Sequence, residues 1–111
     1  MSVVSSQSSH KRHHQRVSYR GEAELITPHG RWHTYLIDLS DNGALTAILS
    51  PYQLSDGEPV MLNIQQDDAS PIKMMGQLAH HREHMLGLQC WATGIEQQHR
   101  LHDLIEEQAR H

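Results

Sequence analysis

From Val17 onward the chain alternates. Val17, Tyr19, Gly21, Ala23 and Leu25 take every second position, with Ser18, Arg20, Glu22 and Glu24 between them. A period of two is that of a strand with one buried face. Turn clusters break the pattern at short intervals: TPHG (27–30), SDNG (40–43), SPYQLSDGEP (50–59), QQDDASP (65–71) and REH (82–84). Pro, Gly, Asn and Asp in such clusters favour tight turns. Between them lie RWHTYLIDL (31–39), ALTAIL (44–49), VMLNI (60–64), IKMMGQLAHH (72–81) and MLGLQCWA (85–92). The expected fold is mainly β, with about six antiparallel strands and the first two joined as a hairpin. Gly76 and Gly87 inside the last two strands suggest bulges or corners of a small closed barrel.

The end of the chain has another period. Thr93-Gly94-Ile95-Glu96 has capping-box spacing. Ile95, Leu101, Leu104 and Ile105 can then share one helix face, with Glu96, Arg100, Asp103 and Glu106 outside. A C-terminal helix covering the end or side of the barrel follows.

A chain of 111 residues allows one domain and one core. With no Phe and 37% hydrophobic residues, that core must be built from Leu, Ile, Val, Met and Ala. Met74-Met75 is expected to fill gaps in it, and Trp32 and Trp91 to pack in the core or at its edge. Cys90 has no partner for an internal disulfide and reads as a small buried hydrophobe, which fits a reducing cytoplasm. No apolar run reaches the roughly 20 residues of a membrane span. The Ser-rich start, MSVVSSQSSH, lacks a signal peptide's apolar stretch. Residues 1–10 are expected to form a flexible arm, with the domain at 11–111.

The net charge is −4, yet Lys11, Arg12, Arg16 and Arg20 crowd into KRHHQRVSYR (11–20). Two local patterns matter here. Arg12 and Arg16 form R-x-x-x-R, and Asp38, Ser40 and Gly43 form D-x-S-x-x-G at the end of strand two. Alone, the first is a solvated basic tail and the second a plain turn. Their order, a separation of about twenty residues and a position around the first hairpin are more specific. Arg20 and Arg31 read as surface charges. Among the histidines, His80, His81 and His84 surround one loop, and His99 and His102 share a helix face. No acid or Cys completes a zinc pattern such as H-E-x-x-H, so no metal site is expected.

The paired motifs resemble the signature of the PilZ domain family, bacterial receptor modules for cyclic di-GMP. The strand order, LGLQC (86–90) and HRLHDLIEEQ (99–108) are similar to its short stand-alone members. The resemblance implies a six-stranded antiparallel β-barrel with a C-terminal α-helix, and a cytoplasmic, non-enzymatic receptor. Arg12 and Arg16 would grip the ligand, Asp38 accept from a guanine edge, Ser40 donate or accept, and Gly43 admit a close backbone approach. Lys11 before the motif implies two stacked ligand molecules. His80 stands where some members carry a stacking Trp.

These residue types suit that ligand on chemical grounds. Arg forks onto guanine O6 and N7 or onto phosphate oxygens, and its plane stacks on bases. Binding would order the N-terminal arm against the barrel and change the surface shown to a downstream protein. The resemblance implies no cofactor beyond that ligand. The rival reading is a PilZ-like adaptor that binds only proteins. A single-stranded nucleic-acid barrel would want a basic groove with exposed aromatics, against a net acidic chain with 5% aromatic residues.

Overall fold

The computed structural model describes residues 15–110. Among the described residues there are six strands: β1 Val17–Thr27, β2 Gly30–Ser40, β3 Gly43–Ala47, β4 Pro59–Ile64, β5 Ile72–Arg82 and β6 Met85–Ala92. Helix α1 follows at Gly94–Ala109. The strands pair antiparallel in the order β1-β2-β3-β6-β5-β4, and β4 closes back onto β1. The sheet therefore has no free edge, which removes the pairing liability of an open sheet.

Alternation sorts side chains to the two faces of this wall. Leu25, Leu36, Leu39, Leu62, Ile64, Met74, Leu78 and Leu86 are fully buried inside. Leu101 and Ile105 of α1 join the same core, each contributing roughly 1.5–3 kcal/mol by burial. Polar bonds fix the helix. The Lys73 N–H donates to Gln97 Oε1 (2.9 Å), and the Arg100 guanidinium donates to the Ser70 carbonyl.

Strand three ends at Ala47 rather than at Leu49. The Ile48 N–H still donates to the His84 carbonyl (2.8 Å), the next rung of the β3–β6 register, and beyond it Leu49 is exposed. The capping box does not form. Thr93 makes no side-chain cap bond, and Gly94, with φ of +85°, turns the chain into the helix instead. The first helical turn consequently leaves Ile95 71% exposed, outside the expected apolar face. Adjacent strand residues point to opposite faces, so Met74 is buried while Met75 is 45% exposed. Trp91, between buried Cys90 and Ala92, is 55% exposed for the same reason. Trp32 packs at the core edge and donates to the Pro51 carbonyl (3.2 Å).

Of the two glycines expected at bulges, Gly87 faces a register shift between Leu78 and His80. Gly76 stands in regular register, opposite Cys90. Its role is close approach: a Cβ there would overlap the Gln89 carbonyl oxygen and lie 2.6 Å from Cys90 Cα.

Candidate functional site

The β2–β3 turn builds the site. Ser40 is fully buried. Its hydroxyl donates to Asn42 Oδ1 (2.8 Å) and accepts from the Asn42 N–H (3.3 Å). The Gly43 carbonyl lies 3.4 Å from the same hydroxyl. Those bonds lock the turn and leave Ser40 as its internal brace, pointed away from solvent. Removing the hydroxyl breaks both bonds to Asn42 and leaves a gap at a fully buried position. Ser40→Ala is therefore expected to cost about 1–2 kcal/mol of stability, read as a lower urea midpoint. An unchanged midpoint would contradict the brace.

Asp38 precedes the turn, just past a register irregularity between Leu36 and Asp38. Such a bulge re-aims a side chain. Arg16, immediately before β1, donates from Nη1 to Asp38 Oδ1 across 22 residues of sequence. The guanidinium remains half exposed and the carboxylate about one quarter. A Cβ on Gly43 would sit 2.9 Å from the Leu88 carbonyl oxygen and 3.4 Å from Arg16 Nη2. The missing side chain thus lets β3, β6 and Arg16 meet.

These residues wall one cavity of about 440 Å³, to which His80 and Gln89 also contribute. The His80 ring lies over Gly87, closer than a Cβ would permit. Arg16, Asp38, Gly43 and His80 are thereby brought together. Ser40 supports them from behind. Lys11 and Arg12 lie outside the described residues. The motifs overlooked Gln89 as a wall residue. It pairs with Gly43 in register, so β3–β6 neighbourhood would have revealed it, but no local pattern specifies that pairing.

The cavity offers a guanidinium, a carboxylate, amide groups and an imidazole on one surface. Such a set suits an anion that carries planar, hydrogen-bonding rings. Among the described residues, no group of three His, Cys, Asp or Glu side chains is placed to hold a metal. Cys90 lies behind the wall, and burial pushes its thiol up to about 12, with the Arg16 charge opposing. The unfolded chain releases this proton at lower pH than the fold does. Stability should therefore fall as pH rises from the ordinary thiol range toward 12. Alkylation near pH 8 should be at least about 100-fold slower in the native than in the unfolded protein. Equal rates would contradict the burial.

The turn has a second side. The Asn42 carbonyl accepts from the Cys90 N–H (3.2 Å), tying the turn to β6. Asn42 and Gly43 face the cavity just described. Asp41 lines another, of about 330 Å³, against Trp91 and α1.

Comparison with known proteins gives three findings. The sequence model of the PilZ domain matches residues 10–107. No curated protein matches the chain. Among solved structures, the PilZ domain of CeSA from a cellulose-synthesizing bacterium is similar, with a TM-score of 0.69 at 17% identity. That likeness covers 87% of this chain and 99% of the other, and it concerns the fold.

Proposed function

Because this chain belongs to the PilZ domain family, whose members in general bind cyclic di-GMP, we propose that it is a non-enzymatic receptor for that dinucleotide. The observation that carries this reading is the meeting of Arg16 and Asp38 on one cavity beside Gly43 and His80. Arg16 forks onto phosphate or onto guanine O6 and N7. Asp38, already aimed by its bulge, accepts from the N–H donors of a guanine edge. Gly43 leaves room for the ligand backbone, and His80 stacks on a base with less area than Trp would offer.

Arg16 and Asp38 neutralise each other in the ligand-free protein. Ligand exchanges that pair for phosphate and base contacts, which keeps neither charge unpaired. Lys11 and Arg12 complete the grip from the segment before Arg16, and Lys11 favours a stacked ligand pair. The signal is the ordering of that segment on the ligand, which alters the surface offered to a downstream protein.

Isothermal titration with cyclic di-GMP, with GTP and cyclic di-AMP as controls, tests the proposal. Saturable heat with cyclic di-GMP alone is expected, at two ligands per chain. The absence of both heat and thermal shift at high ligand would overturn it in favour of a nucleotide-free adaptor.

A further inference from the structure

Outside the proposed ligand cavity, an exposed apolar strip among the described residues centres on Trp91, which is 55% exposed beside Met75 at 45%. Trp91 and Met75 are register partners across β5 and β6, and Met61 continues the row on β4. Outward aromatic and methionine side chains in adjacent register make a strip of the kind enriched at interface cores. On its other flank, Trp91 walls the cavity floored by Ala92 and Leu101, with His99 and His102 reaching in from α1. Exposed Ile95 lies one helical turn before His99, on the same helix face.

The rim is acidic. Asp41 lines the cavity. Asp103 and Glu106 follow His99 and His102 by four residues on the helix face. Glu106 lies 3.2 Å from His102 Nε2 and 3.9 Å from Arg110. Arg100 is turned toward Ser70 and Pro71, away from this rim. Lys73 borders the strip two residues along β5 from Met75.

We propose that this groove docks a partner-protein segment in which a bulky apolar side chain is flanked by Lys or Arg. The apolar side chain enters beside Trp91, and the cations meet the exposed helix carboxylates Asp103 and Glu106. A cation can also stack on the indole. A second copy of this chain fits poorly, because face-to-face pairing sets acid rim against acid rim. This gives the proposed receptor's downstream partner a place and a chemistry. It rests on the receptor reading only for what docking would report.

The test uses a short synthetic peptide with lysines around a phenylalanine and a leucine, and a counterpart with glutamates for the lysines. Indole N–H resonances of the full chain are followed, with Trp32 as the internal control. The lysine peptide should shift Trp91 saturably and leave Trp32 in place. Asp103→Lys with Glu106→Lys, on exposed helix positions that spare the fold, should weaken it at least about tenfold. Trp91→Ala, followed by peptide anisotropy, should do the same.

Three results would overturn the proposal. They are no Trp91 shift at millimolar peptide, equal response to both peptides, or a Trp91 shift that tracks protein concentration alone. The last would make a second copy the occupant. Cyclic di-GMP titrated in parallel on wild type and Trp91→Ala reports on the receptor reading by itself. Loss of ligand binding in both, with peptide binding intact, removes that reading and retains this one.

Discussion

Arg16→Ala is expected to weaken cyclic di-GMP binding at least about 100-fold while leaving the barrel folded. Each charge-assisted hydrogen bond from a guanidinium is worth roughly 1.5–3 kcal/mol, and a fork makes two. The substitution also leaves Asp38 as an unpaired carboxylate facing a dianion, which adds repulsion to the loss. About 2.7 kcal/mol already corresponds to the hundredfold change. The cost to stability is small by comparison. Arg16 is half exposed, and ion pairs of that kind contribute about 0–1 kcal/mol. Arg16→Lys keeps the charge without the fork and should fall between the two. Titration calorimetry with a parallel melt measures both quantities. Binding within about threefold of wild type would remove Arg16 from the site.

Gly76→Val should be the most damaging single change to the fold. The strands cross so closely at this point that even a Cβ meets the Gln89 carbonyl and Cys90 Cα. Those are backbone atoms of a paired strand, so no rotamer relieves the overlap. β5 and β6 must separate, and in a closed barrel that displacement passes to both neighbours. Overpacking alone costs about 1–3 kcal/mol, and broken ladder bonds raise the expectation to about 3–5 kcal/mol. For a chain of this size that lowers Tm by roughly 15 °C or more. Gly57, where a Cβ meets nothing within 4 Å, is the control for glycine loss, though its φ of +88° carries its own strain. A Gly76 variant melting near wild type would show that the two strands part cheaply.

The strands were legible because period two runs through much of their length, interrupted at the irregularities beside Ser18, Asp38 and His80. Val17 to Leu25 shows it most clearly, and the turn residues mark its limits. What escaped were features decided by distant partners. Leu49 belongs to an apolar run, yet β6 begins at Met85, and the β3–β6 ladder runs out after the Ile48–His84 bond. Ile95 fits a helix face by spacing, yet that face has no barrel beneath its first turn. Thr93 has a capping residue's chemistry, but the turn at Gly94 denies it the geometry. In the site, Arg16 and Asp38 could be paired from motif order. Ser40's inward role could not, because a hydroxyl that braces a turn and one that greets a ligand have the same letter. Gln89 came into view only when β3 and β6 proved to be neighbours.

The β2–β3 turn stands between the Arg16 cavity and the Trp91 groove, held to β6 through Asn42 and Cys90. If filling one proposed site changes affinity at the other, the effect is reciprocal. Whatever factor the nucleotide applies to partner affinity, the partner returns to nucleotide affinity. Under the receptor proposal, the sensitivity of this small barrel to cyclic di-GMP is then no fixed constant of the protein. It becomes a quantity the cell can set by how much partner it makes.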